Sequence, residues 1–330
     1  MKRNCILILA AILLSIPAPA QDSFRNPVIA ADWPDPTVWR NGDTYYSVAT
    51  GLTTLRKSTD MVNWVDSGLS PITDKARREL TSISKNIWAP CVTKINGRWV
   101  LYVSLYINDN DCKIAVMDSD WAEGPFEWKG ILLDGMKDFG VANAIDPFTI
   151  VADGKVLHFF GSLEDGIHVV ELSEDGLTVK EGAKAKHIAG IRHPEHKFIK
   201  EAYEGTYIMK RGGWWYLFAS GGAYYDSTYH LIVARSHEVT GPYYDREGNP
   251  LTEGKALPVL SSKPGDHFIG PGHNGDIFVT ADGRTYMYYH SHATDYPESA
   301  RPTLLQQVLW DAEDWPYFKD GSPAETETRP

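Results

Sequence analysis

Cysteine is scarce in this chain. Of three in 330 residues, Cys5 lies in the N-terminal apolar segment, leaving Cys91 and Cys112. A disulfide-stapled scaffold is excluded, because such folds need several bridges in place of a large core. Positive charge is also short. Lys and Arg total 32 against 43 Asp and Glu, a formal charge of −11, so nucleic acid and anionic lipid, both bound through positive surface, are excluded as natural partners. The apolar run from Ile6 to Ile16 is too short to cross a bilayer, which takes about 20 residues. Lys2 and Arg3 precede it and Ala18-Pro19-Ala20 follows, so residues 1–20 read as an export signal cleaved before Gln21. No cysteine stands at the cleavage point to carry a lipid, and the expected location is periplasmic or extracellular, with no membrane insertion. No Ser/Gly-rich or Pro-rich linker interrupts residues 26–318, so residues 21–330 read as one domain and a monomer, with Lys319 to Pro330 as a frayed polar tail.

What the chain does have is repetition. Five hairpin-like units run DPTVWRNGDTYYSVAT from Asp35, WAPCVTKINGRWVLYVS from Trp88, DPFTIVADGKVLHFFGS from Asp146, EGTYIMKRGGWWYLFAS from Glu204 and HNGDIFVTADGRTYMYYHS from His273. In each, an NG, DG or GG pair separates two β-alternating runs, a strong hairpin signal because both central residues of a type I′ turn need positive φ. The turn glycines Gly42, Gly97, Gly154, Gly213 and Gly283 are 55, 57, 59 and 70 residues apart. A period of this length built from β hairpins predicts an all-β, five-bladed β-propeller. Third strands follow in CKIAVMDSD, GIHVVELSEDG, YHLIVARSHEVTGPY and LLQQVLWDAEDWPYF, and a weaker fourth in GPFEWKGILL. Residues heading the first, innermost strand then face one end of a central channel. Pro71 to Ile87 and Lys255 to Pro271 read as non-strand segments that shape the channel mouth.

Three of the five heads are acids: Asp35, Asp146 and Glu204. Glycosidic hydrolysis needs one carboxylic acid to protonate the leaving oxygen and a second carboxylate to activate water or attack directly. An inverting pair stands about 6.5–9.5 Å apart to admit the water, a gap that different blades around one channel supply. A third carboxylate near the acid would hold its proton by like-charge repulsion. Eleven Trp and seventeen Tyr suit stacking on sugar faces, although the same rings are common strand residues. Cys91 and Cys112 fall in the first and third strands of one blade, about two strand spacings apart, so both are expected as buried thiols.

Taken together, WPDPTV at Asp35, WAP at Trp88, NAIDP ending at Asp146–Pro147, EGTYI at Glu204 and GPGHN at His273 resemble glycoside hydrolase family 43, over residues 26 to about 318. The resemblance implies a five-bladed propeller enzyme acting on arabinose- and xylose-containing glycans of plant cell walls. It implies Asp35 as general base, Glu204 as general acid and Asp146 as the residue tuning and orienting the acid. Trp88, Arg301 and Asn143 would contact substrate, and His273 would approach a hydrated cation, usually calcium, on the propeller axis; no cofactor is required for the chemistry. Thr206 departs from the family's usual proline. The count from Glu204 to Gly212 equals that from Asp146 to Gly154, which favours Glu204 over Glu201 as the acid. The runs HFFGS, GIHVVEL and VTGPYYDREG resemble the arabinan-degrading branch, implying endo-α-1,5-L-arabinanase-like action, with an exo-acting arabinofuranosidase or β-xylosidase as the alternative.

Other signals count for less. His193 and His196 in RHPEHK have metal-like spacing, but Pro194 breaks any helix that would put them on one face, so a solvent loop is expected. The acids of NDNDC and MDSD lack the calcium-loop pattern and read as turns. Fructan-cleaving propellers resemble one another in Asn-Asp-Pro, Arg-Asp-Pro and Glu-Cys strings that this chain does not contain. A non-catalytic sugar-binding propeller would not need acids at the heads of three blades.

Overall fold

The computed structural model describes residues 23–295 and 300–330; the expected export signal at 1–20 lies outside them. Five antiparallel sheets follow one another along the chain and surround a common axis. The first blade is Thr37–Asn41, Thr44–Val48, Arg56–Ser58 and Val65–Asp66. The second is Asn86–Ile95, Arg98–Asn108, Asp111–Ser119 and Glu127–Asp134, and the third is Phe148–Ala152, Lys155–Phe160, Ile167–Glu171 and Lys186–Ala189. The fourth is Glu204–Arg211, Trp214–Gly221, His230–Ser236 and Pro258–Ser261. In the fifth, the innermost strand is broken into Phe268–Gly272 and Ile277–Val279, both pairing with Thr285–Ala293, followed by Thr303–Trp310 and Pro316–Tyr317. This is the expected five-bladed β-propeller. In the hairpins of blades two, three and four, both central residues have positive φ: Asn96 and Gly97, Asp153 and Gly154, Gly212 and Gly213.

Packing explains the aromatic richness. A propeller blade is buried on both faces, so successive residues of a middle strand feed two different cores. Leu101, Val103 and Leu105 pack toward blade one with Trp39, Tyr46 and Phe126. Their neighbours Val100 and Tyr102 pack toward blade three with Val156, Phe160 and Val170. Similar clusters join blades three and four, four and five, and five and one. Tyr102, Tyr216, Tyr286, Tyr288 and Tyr289 are fully buried in them, so most of the rings serve the blade interfaces rather than sugar.

Three expectations need correction. The tail is not frayed: Thr326–Thr328 pairs with Ser23–Arg25, and Asn26 Nδ2 donates to the Leu305 and Ala324 carbonyls, tying the two ends of the described chain to blade five. Residues 255–271 hold the outer strand of blade four and the first strand piece of blade five. Residues 71–87 hold a helix, Asp74–Ile83, capped by the Thr73 hydroxyl accepting from Ala76 N–H, with Ala76 and Leu80 buried against blades one and two. Neither segment lines the mouth. Cys91 and Cys112 are free and buried, as expected, with burial pushing both thiols up to about 12.

Candidate active site

The way the chain enters each innermost strand creates the site. Every blade has a residue there in the left-handed region: Asp35 (φ 53°), Ala89 (40°), Asp146 (56°), Gly205 (62°) and His273 (44°), with Tyr203 (64°) and Gly270 (61°) added in blades four and five. Pairing slips at the same places in blades two and four, as a bulge requires, and a bulge re-aims its neighbouring side chains. The hairpin register matches Asp153–Gly154 with Gly212–Gly213, which makes Gly205, not Glu204, the counterpart of Asp146. The equal count to Gly212 therefore compared unequal turn positions. Glu204 reaches the cavity from one residue earlier, whereas Glu201 is exposed and outside it.

A cavity of about 400 Å³ opens at this end of the axis, lined by Asp35, Asp146, Glu204 and His273 among others. Trp88, Asn143 and Arg301 also line it, so all seven residues singled out from sequence meet in one place. Trp88 stacks on Tyr106 at 4.4 Å between centroids. Phe198, Tyr224 and Tyr225 form a second aromatic wall from other blades.

Asp35 is buried among nitrogens. Its Oδ1 lies 3.2 Å from Arg301 Nη1, 3.3 Å from His273 Nδ1 and 3.2 Å from His290 Nδ1, and Thr50 donates to Oδ2 at 2.6 Å. Burial opposes ionisation, but Arg301, His273 and His290 together outweigh it and hold the carboxyl well below its usual range. His290 is fully buried, and burial with Arg301 nearby pushes it down to about 3, so it stays neutral.

Asp146 and Glu204 sit differently. Ser162 donates to Glu204 Oε2 and Tyr229 to Oε1 at 2.6 Å, while Gly205 N–H donates to Asp146 Oδ2 at 3.2 Å. Burial and then the charges of Glu204 and Asp35 raise Asp146 well above the carboxylate range. The pair thus retains a proton at a pH where Asp35 has none.

Serines hold this geometry across blades. Ser104 Oγ accepts from Asp146 N–H at 2.9 Å and Ser220 Oγ from His273 N–H at 2.7 Å, while Ser162 serves Glu204. Each closes its own blade's repeat and grips the head of the next. Serine ends four of the five sequence units and Thr50 the first, and that recurrence was the available signal for them. Tyr229, His290, Tyr106, Phe198, Tyr224 and Glu164 carried no such repeat and were missed. Asp109 is in a turn as expected, yet it also lines the cavity. His193 and His196 are on a loop, but His196 is not free: its Nδ1 meets buried Asp165 Oδ2 at 2.7 Å. Asn143 spends its amide N–H on Glu164 Oε2, so it supports that carboxyl rather than reaching into the cavity unencumbered.

Asp146, Glu204 and His273 offer ligand atoms within 4.8 Å of one another. Calcium takes six to eight oxygens, and both Glu204 oxygens and Asp146 Oδ2 already accept hydrogen bonds. The donor set does not fit a calcium ion held directly.

A propeller that gathers buried carboxyls of opposite protonation in an aromatic-walled cavity has the equipment of a glycoside-cleaving enzyme. The sequence model of glycosyl hydrolases family 43 matches residues 24–316, and the chain belongs to that family. It is 32% identical over 305 residues to the extracellular exo-α-(1→5)-L-arabinofuranosidase of Cellvibrio japonicus, spanning 87% of this chain and 86% of the relative. It is 25% identical over 362 residues to extracellular endo-α-(1→5)-L-arabinanase 2 of Bacillus subtilis, spanning 94% and 75%. Among solved structures, the α-L-arabinanase of Cellvibrio cellulosa with arabinohexaose superposes with a TM-score of 0.76 at 29% identity, covering 88% and 96%. Among the described residues, no helix is long and apolar enough to cross a membrane.

Proposed function

We propose that this glycoside hydrolase cleaves α-1,5-linked L-arabinofuranosyl chains with inversion, using Asp35 as base and Glu204 as acid. The observation that carries the reading is the opposite treatment of Asp35 and the Asp146–Glu204 pair. Asp35, held ionised beside Arg301 and His273, takes a proton from the attacking water. Glu204 passes a proton to the leaving oxygen as the bond breaks, with the proton-bearing Asp146 beside it. The other product carries the water oxygen on the face opposite the departed group.

The arabinan assignment rests on the relatives' named activities. Endo action is supported by aromatic walls from separate blades, which suit sugar units on both sides of the cleaved bond. Terminal release is the second reading, favoured by the 32% identity to the exo-acting C. japonicus enzyme. A product profile on linear arabinan, branched arabinan and xylan tests all of this: an oligosaccharide ladder from linear arabinan is expected, a lone monosaccharide means exo action, and cleavage of xylan alone rejects the substrate. Export to the periplasm or beyond agrees with the relatives' extracellular names; N-terminal sequencing of the mature protein should begin at Gln21. A hydrated cation would attach at the second ring nitrogen of His273, which has no partner among the described residues. Elemental analysis of purified protein checks this, and no step depends on it.

A further inference from the structure

Glu164 is a cavity residue that the acid–base scheme does not use. It lies on the tight connection after Lys155–Phe160, and everything around it is pinned. Ser162 holds Glu204, while Asp165 Oδ2 accepts from Ala142 N–H at 2.7 Å and also engages His196. The Glu164 carbonyl accepts from His193 N–H at 3.0 Å. The residue as a whole is only 6% exposed, and Asn143 Nδ2 fixes Oε2. Oε1 has no hydrogen-bond partner among the described residues. That oxygen is not sealed away, since Glu164 lines the cavity, so it is free to take a hydrogen bond from a molecule held there.

Its neighbours say where that ligand sits. Burial, then Asp109, Glu204 and Asp165, push Glu164 up to about 7, against the pull of Asn143. Ser162, two residues earlier, holds Glu204, and Glu164 shares the cavity wall with Tyr106 and Asp109, so it stands on the acid's side of the cavity. The acid faces the departing half of the substrate. Near neutral pH both forms of Glu164 are populated, and a sugar hydroxyl, which donates and accepts, satisfies either one.

We propose that Glu164 is a substrate-positioning residue whose Oε1 hydrogen-bonds a hydroxyl of the pentosyl unit on the leaving-group side of the cleaved bond. This rests on reading the cavity as a glycosidase site. It makes Glu164 a determinant of selectivity for a sugar, rather than any good leaving group, in that position.

Steady-state kinetics of wild type, Glu164→Leu and Glu164→Gln test it on two substrates: a linear pentose oligosaccharide that the wild type cleaves, and an aryl glycoside lacking a leaving-side sugar. Where the aryl compound is not turned over, its Ki against the oligosaccharide replaces its KM. Wild-type profiling on arabino- and xylo-oligosaccharides comes first, so a wrong substrate shows there and the Glu164 comparison proceeds on whichever is cleaved. In Glu164→Leu, the ratio of oligosaccharide to aryl KM should rise about 10-fold, the order expected for one lost hydrogen bond to a charged or polar partner, with the change in KM rather than kcat. Glu164→Gln should recover most of it. A ratio moved less than two-fold, an equal rise on both substrates, or a loss confined to kcat overturns the proposal.

Discussion

On one side of the cavity Asp35 is ringed by Arg301, His273 and His290; on the other, Asp146 and Glu204 take hydrogen bonds from Ser162, Tyr229 and a backbone N–H, with His273 no nearer than 3.8 Å to Asp146. Both sides are buried, and burial alone would push every carboxyl up. The difference lies in the cations. Arg301, with His273 and His290, reverses the effect of burial at Asp35, while the charges of Glu204 and Asp35 reinforce it at Asp146. One fold thus keeps an ionised Asp35 and a proton-bearing Asp146–Glu204 pair in one chamber, the division of labour that the proposed acid–base hydrolysis at a single pH requires.

Removing the charged side should do most damage. Asp35→Ala is expected to lower kcat on arabino-oligosaccharides about 10⁴-fold, with equal loss on substrates whose leaving group needs no proton; recovery on those would mean Asp35 is not the base. Glu204→Ala should lose about 10³-fold on the natural linkage but about 10-fold on an activated aryl glycoside, and equal losses would remove its acid role. Arg301→Met strips the cation from Asp35, so the carboxyl pKa rises. Asp35 works when ionised, above its pKa, so the acidic limb of the kcat/KM profile should move to higher pH. The loss is about 10-fold on the acidic side for each unit moved and fades as pH rises. An unmoved limb would show that the guanidinium does not set the asymmetry. Ser162→Ala, which takes one donor from Glu204, should cost a few-fold at most, measured as kcat at the pH optimum.

The asymmetry was only half legible in the sequence. The acids could be found because each heads a hairpin repeat, and the repeat itself gave the propeller and the axial location. Arg301 and His273 were reached through family resemblance. His290 and Tyr229 were not reached at all: both sit within strand-like runs, YMYYHS and STYHLIV, where alternation says only that a ring is buried and not what it faces. Glu164 followed the quoted HFFGS and looked like an ordinary loop acid. Its burial depends on the 191–203 loop folding over it, a contact between segments that local pattern does not encode. The closing strand Thr326–Thr328 was hidden for a similar reason, since three polar residues form a strand only because Ser23–Arg25 lies alongside.

In the proposed scheme, the division between an ionised Asp35 and a proton-bearing Asp146–Glu204 pair calls for direct attack by a water activated at Asp35. Proton NMR of the reaction with a linear arabino-oligosaccharide, recorded before the product mutarotates, reads that commitment directly. The first sugar end released should carry the anomeric configuration opposite to the linkage that was cut. Release with the configuration retained would mean a covalent intermediate, and would contradict the assignment of Asp35 as a base.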